Sequence, residues 1–224
     1  YAQQLELNGN YIEALVHYEK ALGSIKYEID EDDEHLRMVK AGIARTTIRC
    51  GNFSSGIKLA MELSEKRLFF ECAEGLEQMN QIMEAAQLYE ESENYDKACG
   101  LYIQLKQWNK VDKILPYVTS LKLHALHAKA KESEGKYRDA IKSYQLANDL
   151  DSVVRIYLEH MADPHSASEI VLESRSVDSG KLLAKFYQNI GDFESALQFL
   201  IICGCVNEAF TLAHKHNKLK HYGE

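Results

Sequence analysis

Proline is nearly missing from this chain: two occur in 224 residues, beside twelve glycines. Folds built from many short strands close their turns with such residues, so a β-rich protein is excluded. Long apolar runs are missing as well. No stretch approaches the roughly eighteen residues that span a bilayer, and no basic-then-apolar leader opens the chain, so neither a membrane span nor a secretion signal is read. Positive charge is in short supply, with 26 Lys and Arg against 34 Asp and Glu and a formal net charge of -8. Nucleic-acid binding needs a basic stripe, so the partner surface to expect is protein. The five cysteines, Cys50, Cys72, Cys99, Cys203 and Cys205, are odd in number and scattered among apolar neighbours. A chain of this size needs no disulfide staples, and a reducing cytosolic setting fits best. Gly-rich phosphate loops, nucleophile elbows and paired-carboxylate motifs are absent too, so a protein that is not an enzyme and uses no cofactor is expected.

What the chain does contain is helix-forming residues and a repeated spelling. "GNYIEALVHYEKA" at residues 9–21 returns as "GKYRDAIKSYQLA" at residues 135–147, 126 residues later. Gly9 and Gly135 follow helical runs and suit the left-handed residue that ends a helix. The helix that follows each carries Tyr11, Ala14, Leu15 and Tyr18, or Tyr137, Ala140, Ile141 and Tyr144, at i, i+3, i+4 and i+7. That spacing predicts one buried stripe, with a small residue where the next helix comes closest and aromatics filling the wedges beside it.

With the small residue as anchor, looser copies appear at Gly56, Ala85, Ala98, Val111, Val153, Ala167, Ala196 and Ala209. Successive anchors are separated by 13, 14 or 29 residues after a first step of 42, and the unit returns about every 42. Gly51 with Phe53, Tyr95, Trp108, and Gly191 with Phe193 occupy matching turn and wedge positions. The longer steps hold an extra helix, as at Leu121 to Glu134 and Val177 to Ile190. Such units cannot bury their apolar faces alone and stack on one another. The expected fold is all-α, a right-handed α-solenoid of tetratricopeptide-like hairpins with about fourteen or fifteen helices, departing in length from the 34-residue repeat. Residues 1–224 read as a single solenoid region cut from a longer protein. Residues 29–35 read as an acidic loop capping the helix that begins near Glu34, and residues 218–224 as the C-terminal end. Pro116 and Pro164 fall at helix junctions, where a missing N–H costs little.

One constellation has the chemistry of a metal site: Cys203 and Cys205 with His214 and His216. Its geometry is poor, because two histidines two apart on a helix point to different sides. Buried thiols and surface histidines are the preferred reading, and no metal is assigned. His124 and His127 share a helix face without a carboxylate or cysteine at ligand spacing, and are read as satisfied or solvated. Trp108 is read as an interhelix wedge. Phe69 and Phe70 are adjacent, so one of them is a candidate for a surface used in assembly, with both in the core as the alternative. In the last helix Ala209, Phe210, Leu212 and Ala213 are expected to face the preceding hairpin, above a basic last turn of His214, Lys215, Lys218 and Lys220.

From Lys122 to Lys218 the text becomes more specific. "AKAKESEGKYRDAIKSYQLANDLDSVVRIYLEHMADPHSASEIVLESRSVDSGKLLAKFYQNIGDFESALQFL", followed by "NEAFTLAHKHNK", resembles the helical region of the WD-repeat core subunits of intraflagellar transport complex A. Residues 1–121 follow the same plan. The resemblance implies β-propellers N-terminal to this region in a longer protein. It also implies work in the cytoplasm, at the ciliary base and in the cilium, in retrograde transport and in admitting membrane proteins. Other complex A subunits are the implied partners, with ciliary cargo adaptors and dynein-driven trains as further candidates. Coatomer-type coat subunits use similar repeats, and a peptide receptor holding a short tail with Lys, Arg and Asn is the other alternative.

Overall fold

The computed structural model describes residues 1–25 and 34–216, and these hold fifteen α-helices, one 3-10 turn and no strand. The first compact unit, Tyr1–Thr119, runs α1 (Ala2–Leu7), α2 (Tyr11–Ile25), α3 (Glu34–Arg49), α4 (Phe53–Leu63), α5 (Lys66–Gln78), α6 (Ile82–Glu91), α7 (Tyr95–Gln104), α8 (Trp108–Ile114) and the 3-10 turn Leu115–Tyr117. The second, Ser120–Glu224, holds α9 (Leu121–Ser133), α10 (Tyr137–Leu146), α11 (Leu150–Glu159), α12 (Pro164–Ser174), α13 (Val177–Asn189), α14 (Phe193–Ile202) and α15 (Val206–Lys215). Glu34 opens α3 and supplies its acidic first turn, while residues 29–33 of the acidic run and residues 218–224 lie outside the described residues. Pro116 sits in the 3-10 turn and Pro164 is the first residue of α12. Among the described residues no helix is long and apolar enough to cross a membrane.

One kind of junction recurs. A helix ends on a left-handed residue, and the residue after it donates its N–H back to a carbonyl five positions earlier. Nine junctions do this, with Asn10, Asn52, Gln81, Asn94, Gln107, Lys136, Asp149, Asp192 and Cys205 as donors at 2.8 to 3.1 Å. This is the closing bond of the Schellman turn, and it satisfies a carbonyl that the helix end would otherwise leave bare. The same residue stands immediately before the next helix. Asn52, Asp149 and Asp192 accept a side-chain hydrogen bond there from the N–H of Ser55, Ser152 and Ser195. Two residues thus end one helix and begin its antiparallel neighbour. Glycine holds the left-handed position at Gly9, Gly51, Gly135, Gly191 and Gly204, and other side chains hold it at Ser64, Asn80, Glu93, Lys106, Asn148, Ala162 and Arg175.

Five residues after each left-handed residue the chain is buried. Ala14, Ala85, Ala98, Val111, Ala140, Val153, Ala167, Ala196 and Ala209 are all at 0% exposure. At Gly56 an added Cβ would lie 2.5 Å from Ile48 Cγ1 and 2.8 Å from the Ala44 carbonyl oxygen, so α3 and α4 meet there without room for a methyl. Ser64 and Arg175 extend the series to Phe69 and Gly180, two anchors that the sequence spelling does not reveal. They resolve two of the 29-residue steps: the helices in between, α5 and α13, are each 13 residues long instead of the usual 10 or 11. Among the described residues, the helix pairs that pack together are neighbours or next neighbours in sequence, such as α3 with α5 and α11 with α13. Local cores follow from this: Leu5, Ala14, Tyr18 and Val39 form one, Ala128, Ala140, Ile141, Tyr144, Val153 and Ile156 another. A third gathers Val154, Val171, Leu183, Leu197 and Leu200 around Cys203 and Cys205.

Opposite stability changes are expected at two turns. Gly135 has φ +74° and open space where a methyl would lie, so Gly135→Ala costs only the conformational penalty, about 1 kcal/mol. Lys106 is exposed at φ 55°, and Lys106→Gly relieves the same penalty for a net gain of about 0.5 kcal/mol. Denaturant midpoints that move in the same direction for both would contradict the turn geometry.

Candidate interaction surfaces

Each hairpin is fastened by more than apolar packing. Tyr18, Tyr89, Tyr102 and Tyr144 are buried by their rings, and each hydroxyl donates to a glutamate twelve residues earlier: Glu6, Glu77, Glu90 and Glu132, at 2.7 to 2.8 Å. In turn coordinates the glutamate lies three residues before the left-handed residue and the tyrosine nine after it. Burial, then the carboxylate bond, pushes the Tyr18 and Tyr144 hydroxyls up to about 12, and it raises Tyr89 and Tyr102 further. The tyrosines therefore remain donors throughout the physiological range.

Two of these latches carry an arginine. Arg45 donates to Glu6 at 2.7 and 3.0 Å and to Glu71 at 3.0 Å, joining α1, α3 and α5. Burial opposes its charge, but the Glu6 bond and the two carboxylates outweigh that and raise its pKa. Arg155 donates to Glu132 at 2.8 and 3.0 Å, tying α11 to α9. The Arg155 bond, helped by the Tyr144 hydroxyl, holds the Glu132 carboxyl below the usual range. Sequence reading passed over Glu6, Arg45, Glu77, Glu90, Glu132 and Arg155. The available signal was a fourfold Glu–x11–Tyr spacing, legible once the turns are aligned.

The aromatic at the first helical position has a different task. Tyr11, Phe53, Tyr95, Trp108, Tyr137 and Phe193 are half-buried. Three of them stack on rings near the end of a later helix: Tyr95 on Tyr117, Tyr137 on His160 and Phe193 on His216, at 4.9, 4.2 and 3.7 Å between centroids. Phe69 is buried, while Phe70 is half-buried, meets Tyr89 edge-on and lies under the Lys97 ammonium. Phe69 is therefore core, and Phe70 packs on Tyr89 and Lys97 with part of its ring still accessible. His124 and His127 are buried, not solvated, and His127 Nδ1 pairs with the Ser143 hydroxyl at 2.8 Å.

Cys203 and Cys205 are buried, with Cys203 Sγ against Gly180, whereas His214 is exposed on α15 and His216 is occupied by Phe193. Among the described residues no group of three or more His, Cys, Asp or Glu side chains is placed to hold a metal ion. On α15, Ala209, Leu212 and Ala213 are buried, but Phe210 is 50% exposed and does not face the preceding hairpin. One step past the anchor turns its ring away from the α14 side of the helix. His214 and Lys215 form the basic last turn, and Lys218 and Lys220 lie outside the described residues.

Among the described residues, both units carry grooves open to solvent. In the first unit, α1, α3 and α5 line a groove of about 950 Å³ with the exposed Leu7 and Met38, the buried Ala41 and Leu68, and the Arg45–Glu6–Glu71 cluster. In the second unit, α13 and α15 enclose about 510 Å³. The repeated turns and their spacing have counterparts in known proteins. The sequence profile of the TPR domain of intraflagellar transport proteins 140 and 172 matches residues 44–221. This chain belongs to that tetratricopeptide domain family. All 224 residues align with "WD repeat-containing protein 19" of Mus musculus and Homo sapiens at 43% and 44% identity, and with "WD repeat-containing protein dyf-2" of Caenorhabditis elegans at 41%. The chain spans 16% of the length of each of these relatives. A tetratricopeptide repeat protein of Parabacteroides merdae aligns at 12% identity, 100% of this chain and 96% of that one, with a TM-score of 0.41.

Removing one latch hydroxyl should be felt. Tyr144→Phe leaves Glu132 with Arg155 alone and is expected to cost about 1 kcal/mol in urea unfolding. The Glu132 carboxyl titrates lower in the folded chain than its unfolded value of about 4.3, so its contribution is present above that pH and fades as pH falls through the folded value. Between about pH 6 and about pH 3.5 the wild type should therefore lose more stability than Glu132→Gln; parallel losses would disprove the assignment. Thiol accessibility offers a second check: Cys50 is exposed and the other four are buried, with burial pushing Cys72 up to about 12 and Cys99 up to about 11. Native alkylation should label Cys50 first, and early labelling of Cys203 or Cys205 would argue against their packing role.

Proposed function

We propose that this chain is a non-catalytic scaffold region of an intraflagellar transport complex A subunit, serving retrograde ciliary transport and the entry of membrane proteins into the cilium. The observation that carries this reading is the 43–44% identity to WD repeat-containing protein 19, sustained over all 224 residues. The physical features agree with it. Polar and reactive side chains are spent inside the fold: the latch carboxylates bind hydroxyls and guanidinium groups, and four of the five thiols are packed. The partners are other complex A subunits, with cargo adaptors and dynein-driven trains beyond them, and the place of action is the cilium and its base. The residues at the repeat positions, from Gly9 and Ala14 through Ala209, hold the fold and leave binding to the faces between them.

The test is capture of named subunits from ciliated-cell extract on the immobilised chain, read by mass spectrometry. Complex A subunits are expected to be recovered together. Recovery of coatomer subunits without them would overturn the reading.

A further inference from the structure

Two turns of the second unit differ from the others. The positions three before and two after the left-handed residue are Leu172 and Val177 at Arg175, and Ile201 and Val206 at Gly204. All four are exposed aliphatic side chains, at 48%, 47%, 42% and 57%. Among the described turns no other exposes an aliphatic side chain on both sides; at Ser64, for instance, the exposed Met61 is answered by Lys66. The glutamate–tyrosine latch is missing at both turns, so these side chains are not needed to fasten the hairpins. Exposed apolar side chains gathered in one place mark a surface that another molecule covers.

The two turns are neighbours. α11 packs with α12 and α13 with α14 as successive hairpins, and α13 rests on α11, so the turns after α12 and α14 lie side by side along one edge of the unit. The first residue of a helix reaches toward the end of the helix that follows, as Tyr137 does with His160 and Phe193 with His216. The same geometry places Val177 toward the end of α14 and Ile201, which joins the two turns into one strip. Packed helices lie about 8–10 Å apart, so the strip steps by about one helix diameter from turn to turn. An α-helix covers that distance in seven residues, about 10 Å. The charge along the strip is one-sided. α12 and α14 carry no lysine or arginine, and Glu169, Glu173 and Asp178 are exposed around Leu172 and Val177 against the guanidinium of Arg175.

We propose that this edge docks a basic amphipathic helix of a partner protein, its apolar stripe on Leu172, Val177, Ile201 and Val206 and its cationic side chains toward Glu173 and Asp178. The proposal rests on the reading of the chain as an interaction scaffold and gives that scaffold one surface and one ligand class. Charge complementarity decides the occupant. A second copy of this chain, with its net charge of -8, or an anionic membrane surface would set like charges against the edge, whereas a basic helix answers its carboxylates. Apolar residues at i, i+3, i+4 and i+7 of that helix match the step from one turn to the next.

The probe is a fluorescein-labelled peptide of two heptads, Leu-Lys-Lys-Leu-Leu-Lys-Ala repeated, titrated with the chain and followed by anisotropy. The comparisons are a scrambled peptide of the same composition, which keeps the charge and loses the stripe, and a peptide with glutamate in place of each lysine. Saturable binding is expected for the striped basic peptide, about tenfold weaker for the scrambled one and absent for the acidic one, and it should weaken as salt rises from about 50 to about 200 mM. Leu172→Ser and Ile201→Ser should each weaken it about fivefold and Glu173→Lys about threefold. Met61→Ser, at the matching exposed position of the Ser64 turn, should leave it nearly unchanged. Equal binding of the striped and scrambled peptides, no saturable binding, or an equal loss in Met61→Ser would each overturn the proposal. So would a dimer of the unliganded chain that Leu172→Ser dissociates, which assigns the edge to a second copy, or binding to phosphatidylserine vesicles lost in the same variant, which assigns it to a membrane. Complex A capture is measured on the same wild-type chain. Capture without striped-peptide binding removes the edge site and keeps the scaffold, and peptide binding without capture removes the complex A reading and keeps the edge.

Discussion

The repeat is hung on the two-residue junction that recurs nine times among the described helices. A left-handed residue closes a hydrogen bond onto the end of one helix, and the next residue already caps the following one. Such a short connection leaves little freedom in the angle between neighbours. The positions where they touch therefore fall at fixed offsets: the anchor five residues on, the tyrosine nine on, the glutamate three back. Left-handed backbone costs a side-chain-bearing residue roughly 1 to 2 kcal/mol, and seven such residues accept it. At Asn80, Glu93, Lys106 and Asn148 the closing bond is made, and with the packing that follows it outweighs the local preference.

Polar latches suit an architecture with small cores. Each helix packs only against neighbours and next neighbours in sequence, so there is no broad interior in which apolar area alone could fix a register. A tyrosine ring supplies area, and its hydroxyl supplies direction, since it must reach one carboxylate or leave it without a donor. Arg45 and Arg155 add a third arm, which makes Glu6 and Glu132 meeting points for three helices each. Removing one partner would leave charge in a partly buried site, a larger loss than the bond itself contributes.

Helix content, hairpin plan and anchor residues were legible in the sequence because they are carried by periodicity and by small residues. Gly9, Gly51, Gly135 and Gly191 announce their turns. Glu93, Lys106, Ala162 and Arg175 do not, because nothing in those side chains favours a left-handed backbone; at Glu93 and Lys106 the closing bond selects it. Phe69 and Gly180 escaped the anchor series for that reason. The glutamate–tyrosine pairs were hidden by their twelve-residue spacing, which crosses a turn and so belongs to neither helix's own period. Phe210 was misplaced because its apolar character was read as burial, whereas its position on α15 turns it outward.

The latch also separates what the fold requires from what it leaves free. Where the residue nine after a turn is not tyrosine, the position three before it has no hydroxyl to receive. At the turns of Arg175 and Gly204 the later positions are Ala184 and Ala213, and the earlier ones are Leu172 and Ile201, at 48% and 42% exposure. At the turn of Ser64 the same pairing is Ala73 with Met61, at 45%. At these three turns an aliphatic side chain stands where the latched turns carry glutamate, whereas the turn of Ala162 keeps Glu159 opposite Val171 and the turn of Asn148 sets Gln145 opposite Tyr157. Aliphatic side chains then occupy a solvent-facing site that the hairpin does not need filled in that way. In a repeat whose junctions dictate so much, the positions released from the turn are those at which recognition can diverge without altering how the helices stack.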